Sequence, residues 1–433
     1  MTRAGQSRVR FPFHPGGVSR WIAIQVFILG FAIASVGCGG GGGDPGGKAP
    51  PRRPAGTKLR IYHDPYRDVD WANDFRVKGQ HHDHLMPDLA GRLRAYEAAG
   101  YQAVSLMDYS GAPQFSYALK ARLWTPEMVV PPDVLSTLKA IKVFIPNGEE
   151  VGLSDGHYTS PYLTQYIEYW SGSSASGKQP WHYSSAAELG SIVNANGGLV
   201  IAAHAWAPEL KYSNLPFLFG VEIYNPVAEF RKRQGEIEFT SVDRNRVLVE
   251  NWDRALATDF RLVGIAVNDH LGPYRTVGTP DDDIRDSGKV LVFCKSQTLD
   301  GYENAFRRRA LLAVKDLGIM KDQFPLIRSI TQDGGGIRID TDDSVRWIAH
   351  GSTIGSIPEL SFAALPLDAR YVRAEVRNSD GSTAFTQAFS VRPLGDANGD
   401  DVVNSVDSTI CDEVAAGRIT DPEQVAACGA LQR

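Results

Sequence analysis

Histidine, aspartate and glutamate residues recur at one kind of place in this sequence, at the ends of short apolar runs. His82 and His84 stand two residues apart, so on an extended backbone both side chains point to the same side and can chelate one ion. Further along the chain, the same residue types occur at Asp108, Glu149, Glu150, His204, Glu222, Asp269 and His270. Imidazole and carboxylate groups are ligands of divalent transition metals, so this set predicts a metal centre.

The apolar runs that carry these residues read as strands alternating with helices. The predicted strands are residues 58–62, 101–107, 141–145, 198–203, 219–224 and 262–267. Nearly continuous apolar strands separated by helices indicate a parallel sheet covered on both faces, and the length of the region suits a closed barrel of βα units. The carboxyl ends of such strands converge on one mouth, where we expect the chemical groups to meet. Glu222 lies inside its strand, where it is either a ligand or an ion-pair partner.

Six motifs in this region resemble those of the polymerase-and-histidinol-phosphatase (PHP) superfamily of metal-dependent phosphoesterases. They are Lys78-Gly-Gln-His-His-Asp-His84 and residues 98–108, 145–150, 197–204, 220–225 and 266–270. The resemblance covers about residues 59–326. It implies an α/β fold with a distorted (β/α)7 barrel, whose strand ends hold up to three divalent metal ions.

Carried over by position, the resemblance implies a set of metal ligands. They are His82, His84, Asp108, Glu150, His204, Asp269 and His270, with His157 as a further candidate. His157 and His270 are also the candidates for protonating the leaving group, because imidazole titrates in the useful range. Tyr109 replaces a histidine of the family motif, and Asp269-His270 compresses its Asp-x-His. We therefore expect one to three ions, and the mixed ligands favour Zn, Mn or Fe.

The function that follows is hydrolysis of a small-molecule phosphoester by metal-activated water. A non-catalytic binding or scaffold protein derived from the same family is one alternative, which the two motif departures favour. An amidohydrolase-like esterase is another, although no lysine occupies a suitable strand end. The chain has 433 residues, a formal charge of −5 and no long basic block, so we do not expect nucleic acid binding.

Residues 1–37 predict a signal peptide, because four arginines and no acid precede an apolar run too short for a comfortable membrane span. Small residues before Cys38 resemble a bacterial lipoprotein signal, in which the cysteine is lipidated. We expect an exported protein, either a cell-envelope lipoprotein whose only membrane contact is its lipid anchor or a secreted protein. Residues 38–58 form a Gly/Pro-rich linker. In an oxidising compartment Cys411 and Cys428 can pair, leaving Cys294 as a buried thiol.

The C-terminal part of the sequence predicts two further modules after the hydrolase domain at 59–326. Alternating apolar residues and the hairpin signal Asn378–Gly381 indicate a small β-sandwich-like module at 329–393. Residues 394–433 resemble one repeat of a dockerin, with a helical tail and an EF-hand-like calcium loop. Its expected ligands are Asp396, Asn398, Asp400, Val402, Asn404 and Asp407. The single repeat favours a calcium-stabilised tail over docking to a cohesin-type partner.

Overall fold

The computed structural model describes residues 55–84, 89–109, 132–153, 156–165, 167, 186–205, 217–233, 235, 242–269, 287–317, 324–333, 335–399 and 402–428. The predicted signal peptide, Cys38, most of the linker, His270 and Asp400 lie outside the described residues. Within the described ranges, every helix is too short or too polar to cross a membrane.

Seven strands that carry or precede the candidate ligands are neighbours in one hydrogen-bonded order. They are Phe75–Gln80 (β2), Ala103–Tyr109 (β3), Val143–Leu153 (β4), Gly156–Ser160 (β5), Val200–Ala203 (β6), Leu218–Tyr224 (β7) and Val263–Ala266 (β8). Strands β2, β3 and β4 pair in parallel, and so do β6, β7 and β8. Their ends therefore bring the residues that follow them to one edge.

Strand β5 runs against its neighbours, so the prediction of a purely parallel sheet is wrong at this strand. It pairs antiparallel with both β4 and β6. The reason is the connection from β4, in which Leu153 pairs with Gly156 across a tight hairpin. Parallel strands need a crossover of about a dozen residues or more, which this hairpin does not provide. The reversal places His157, near the start of β5, beside the end of β6.

Helices cover the sheet as the apolar pattern predicts, which confirms a mixed α/β fold. Their bounds are Leu89–Ala98 (α1), Pro132–Thr137 (α2), Ala186–Ala195 (α3), Val227–Arg233 (α4), Arg244–Leu256 (α5) and Leu299–Arg307 (α6). Helix α1 is typical of the packing: its Leu93 and Tyr96 are buried in one apolar cluster with Val104 and Leu106 of β3. Burial of these side chains anchors the helix beside the end of β2.

Two antiparallel strands flank the start of this sheet: Gly288–Cys294 (β9) and Leu311–Lys315 (β10). Strand β9 pairs with both β2 and β10. Beyond the end of β8, the backbone N–H of Asp269 donates to the carbonyl of His82 at 2.7 Å. This bond joins the residues after β8 to those after β2, the first and last of the seven strands.

The C-terminal strands extend the fold and add a small separate sheet. A short first strand, Leu59–Ile61 (β1), precedes β2. After β10 come Ser329–Gln332 (β11), Gly336–Asp340 (β12), Ser344–Ala349 (β13), Ser352–Gly355 (β14), Glu359–Ser361 (β15), Tyr371–Arg377 (β16), Thr383–Thr386 (β17) and Phe389–Pro393 (β18). Strands β11, β12 and β15 form the small antiparallel sheet, whereas β17 pairs with β10 and β18 pairs with β1. The predicted domain limits stay predictions.

One buried ion pair joins the C-terminal strands to the helices. Arg373 of β16 is 1% exposed and reaches Asp253 of α5 at 2.7 Å and Glu375 at 2.8 Å. Its guanidinium also lies 5.0 Å from the ring of Trp252. Removing one partner of such a buried ion pair would leave an uncompensated buried charge, which is strongly destabilising. The contact therefore fixes the C-terminal strands to helix α5.

The tail contains helices Ser405–Ala415 (α7) and Pro422–Cys428 (α8). A disulfide joins Cys411 to Cys428 with their Cα atoms 5.0 Å apart, which confirms the expected pairing. Cys294 is a buried free thiol, also as expected. Helix α8 contacts the rest of the protein through Glu423, whose carboxylate bonds His63 at 2.7 Å and Arg261 at 2.8 Å.

Candidate metal centre

Two groups of His, Asp and Glu side chains meet at the ends of these strands. In each group, one ligand atom from every residue lies within 4.8 Å of the others. The first group contains His82, His84, Glu150 and Asp269; the second contains Glu150, His157 and His204. Glu150 belongs to both groups, so one carboxylate connects them.

The first group is enclosed by protein. The Nε2 atom of His84 lies 3.2 Å from a carboxylate oxygen of Glu150 and 3.2 Å from one of Asp269. The Nε2 atom of His82 lies 3.5 Å and 3.4 Å from the same two oxygens, Oε2 of Glu150 and Oδ1 of Asp269. Four potential donor atoms therefore surround one point that is shielded from water.

The second group uses the other oxygen of Glu150 and lies nearer the surface. Its Oε1 atom is 2.8 Å from Nδ1 of His157 and 3.1 Å from Nε2 of His204. The side chain of His157 is 37% exposed and that of His204 is 17% exposed. A substrate from solution would therefore reach the site on the side of His157.

One atom of the first group fits a bound cation in particular. The Nε2 atom of His82 is buried and has no hydrogen-bond partner among the described residues. The other nitrogen of this ring, Nδ1, donates to Glu222 at 2.5 Å. That bond keeps the Nδ1 proton in place, so a neutral His82 presents the lone pair of Nε2 between Glu150 and Asp269. A metal-ligating histidine ordinarily has such a carboxylate partner on its second nitrogen.

Glu222 and Asn225 form hydrogen bonds to residues of the two ligand groups. These bonds decide whether Glu222 is a metal ligand or an ion-pair partner. Besides bonding His82, Glu222 accepts the backbone N–H of His204 at 2.7 Å. The Asn225 amide donates to Glu222 at 3.1 Å and to Asp269 at 2.9 Å. Glu222 is thus an ion-pair partner of His82. Asn225 is not among the predicted site residues, although it directly follows the end of β7.

The backbone is strained at two residues of the cluster. His204 has φ +28° and Asp269 has φ +48°, in the left-handed region that side chains other than glycine disfavour. The N–H of His204 is held by Glu222, and that of Asp269 is held by the carbonyl of His82. Strain of this kind persists only where surrounding contacts over-determine it, and it concentrates at functional sites.

Without a metal ion, protons balance the charge of the cluster. Burial alone would lower the pKa of His82, but the carboxylates of Asp269, Glu222 and Glu150 raise it well above its ordinary value. Burial would raise the pKa of Glu150, but the charge of His82 and hydrogen bonds from His157 and His204 hold it well below its ordinary value. A divalent ion would replace these protons.

We expect metal binding to release protons and to tighten with rising pH. Burial lowers the pKa of His204, but the hydrogen bond to Glu150 and the charge of Asp269 outweigh this effect and raise that pKa from 6.5 to about 9. Protonated His204 therefore stabilises the metal-free protein fully below pH 6.5, and this contribution is lost as the pH rises through about 9. The apparent Zn²⁺ affinity should rise up to about that pH. Calorimetry at pH 7 in buffers of different ionisation enthalpy measures the proton release; identical heats would contradict it.

Asp108 stands apart from the two groups. Asp108 is buried, but it pairs in register with Glu149, whose side chain points away from Glu150 on the pleated strand. Within the described part of the chain its carboxylate joins neither group. His270 and Asp400 lie outside the described residues. The role of each as a ligand stays a prediction.

The predicted calcium loop is organised around two buried carboxylates. Asp407 accepts the backbone N–H groups of Ala397 at 2.7 Å, Asn398 at 3.0 Å and Asn404 at 2.8 Å. Asp396 accepts the N–H of Gly399 at 2.7 Å. These bonds close the loop through its backbone and cap α7, while calcium binding by Asp396, Asn398, Val402, Asn404 and Asp407 stays a prediction.

Comparison with known proteins yields likenesses among solved structures. Neither a protein-family model nor a curated protein matches this chain. A match among solved structures is a two-domain protein containing a predicted PHP-like metal-dependent phosphoesterase from Bacteroides vulgatus ATCC 8482. It shares 15% sequence identity, and the alignment covers 77% of this chain and 91% of that chain with a TM-score of 0.35. The metal centre is therefore inferred from the positions of the His, Asp and Glu side chains.

Proposed function

We propose that this protein is a metal-dependent hydrolase that cleaves small-molecule phosphoesters at the mouth of a distorted (β/α)7 barrel of the PHP type. The observation that carries the proposal is the shared Glu150, with one oxygen in each of two ligand groups. A pair of divalent ions held close together would suit the hydrolysis of phosphoesters, because the two ions can stabilise both the attacking and the leaving oxygen.

Seven residues have roles in this proposal. His82, His84, Glu150 and Asp269 would hold one ion, and Glu150, His157 and His204 would hold a second. Divalent ions at these positions would supply Lewis-acid chemistry, acidifying water and neutralising charge on a phosphoryl group. Glu222 orients His82 and supports the backbone of His204.

Charge explains why the residues alone would not bind a phosphoester. Glu150, Asp269 and Glu222 are buried carboxylates close together, and protonated imidazoles only offset their charge, so the metal-free site offers no net positive charge to a phosphate anion. Two divalent ions carry four positive charges against these three carboxylates, which reverses the sign of the site when the imidazoles are neutral. Because 37% of its side chain is exposed, a substrate can reach His157, but its roles as ligand of the second ion and as proton donor are alternatives, since a metal-bound imidazole is a poor proton donor.

The test is turnover by the full chain after chelation and reconstitution with Zn²⁺, Mn²⁺ or Fe²⁺. We expect hydrolysis of p-nitrophenyl phosphate or bis-p-nitrophenyl phosphate only after reconstitution. Hydrolysis of p-nitrophenyl acetate alone would instead support the amidohydrolase-like esterase. Stoichiometric metal with no turnover of any of these esters would support the non-catalytic alternative.

We also propose that the protein is exported and anchored by a lipid on Cys38, with calcium in the loop at 396–407. The disulfide between Cys411 and Cys428 supports export, because such bonds persist in oxidising compartments. Mass spectrometry of the mature N-terminus tests the anchor: an unmodified Cys38 would contradict it.

A further inference from the structure

Asp83, the residue between the two histidines His82 and His84, belongs to a buried polar cluster behind the metal centre. Its carboxylate is fully buried and accepts hydrogen bonds on both oxygens. Arg92 of α1 donates to Oδ1 at 2.9 Å, and the hydroxyl of Tyr96 donates to Oδ2 at 2.6 Å. We call Asp83, Arg92 and Tyr96 the Asp83 clamp.

The Asp83 clamp holds the peptide groups on both sides of His84. The N–H of His84 donates to Oδ1 of Asp83 at 2.7 Å. Its carbonyl accepts a hydrogen bond from Arg92, through the same Nη1 atom that binds Asp83. The backbone of Asp83 is anchored as well, because its carbonyl accepts the N–H of Met107 in β3 at 2.6 Å.

This support matters because His84 lies beyond the end of β2 at Gln80. Only an isolated bridge to Met107 links it to the neighbouring strand within the described ladders. Yet its Nε2 atom must stay 3.2 Å from the oxygens of both Glu150 and Asp269. Small backbone rotations at His84 would move the ring away from these two carboxylates.

We propose that the Asp83 clamp is a positioning unit that sets the affinity of the first ligand group for its metal ion. The inference rests on the proposed metal centre. Arg92 supplies the positive charge that balances Asp83, and one nitrogen of its guanidinium, Nη1, donates to both Asp83 and the carbonyl of His84. Lysine would retain the charge, but its flexible chain ends in a freely rotating ammonium group that is not held in place by a rigid planar guanidinium.

The test is titration with Zn²⁺ alone of the full-length wild type, Arg92→Lys and Tyr96→Phe. We expect one of the two ions to bind about 10–100-fold more weakly in the variants, as for other residues that orient metal ligands. The second ion, held by Glu150, His157 and His204, should bind as in the wild type. Saturating Zn²⁺ should restore the occupancy of the weakened site.

Arg373→Lys is the matched control, because Arg373 is equally buried and ion-paired but lies on β16 with Asp253 and Glu375. It should lower the melting temperature while both Zn²⁺ affinities stay unchanged. Wild-type Zn²⁺ affinities in both Arg92→Lys and Tyr96→Phe would overturn the inference, whatever their melting temperatures. Because Zn²⁺ binding is the measurement, absence of phosphoester turnover would overturn the proposed hydrolase alone. A wild type that binds no Zn²⁺ would overturn both.

Discussion

Glu150→Gln should remove both metal ions together and lower metal-dependent turnover by about a thousandfold or more. One oxygen of Glu150 faces His84 and the other faces His204, so an amide weakens both ligand groups at once. Metal catalysis supplies several kcal/mol of transition-state stabilisation, and each ~1.4 kcal/mol is a factor of ten in rate. Elemental analysis of the purified variant, followed by phosphoester kinetics, measures both effects.

Glu149→Gln is the matched control for this substitution. Glu149 is also buried on β4, but its carboxylate accepts the backbone N–H of Ile167 at 2.9 Å. A glutamine oxygen can accept the same bond, so we expect wild-type metal content in this variant. If Glu150→Gln retained two ions, the idea of a shared carboxylate would be wrong.

His82→Ala should abolish turnover to a similar extent but leave one ion in place. The substitution removes the buried Nε2 atom that lies between Glu150 and Asp269. It leaves His157 and His204 beside Glu150, so the second group keeps its side chains. We expect about one ion per chain and a loss of about a thousandfold in rate.

His350→Ala provides the comparison for His82→Ala. His350 lies in the C-terminal strand region and bonds the carbonyl of Asp368 at 2.8 Å, outside both ligand groups. It should retain two ions and wild-type turnover. Two ions bound by His82→Ala would contradict the assignment of His82 to the first group.

Local patterns predicted several elements of the fold well. Strands β12 and β16 form where the sequence alternates apolar and polar residues; β12 also alternates in burial from Ile337 to Asp340, whereas six of the seven residues of β16 are buried. The segment after the predicted hairpin turn at Asn378–Gly381 forms two strands, β17 and β18. It breaks where the side-chain amide of Gln387 bonds the backbone N–H and carbonyl of Gly264, both at 2.9 Å. Gly264 is far away in sequence, so no local pattern contains this contact.

The chemical groups of the site could be chosen from the sequence because their types recur at strand ends, and strand ends of parallel neighbours converge. That reasoning selects His82, His84, Glu150, His204 and Asp269 without coordinates. The same reasoning does not predict that β5 runs antiparallel to β4. It also cannot separate Asp108 from the residues of the two groups, because the face on which a side chain lies depends on the register of its strand with the neighbouring strand.

The identities and order of the ligand residues are properties of the sequence, whereas their division into two groups is a property of the tertiary structure. Which oxygen of Glu150 faces which histidine depends on contacts between strands that lie more than fifty residues apart. The same holds for the pairing of His82 with Glu222, 140 positions away. Hydrogen bonds act over about 3 Å in space, and only the folded chain brings these atoms that close.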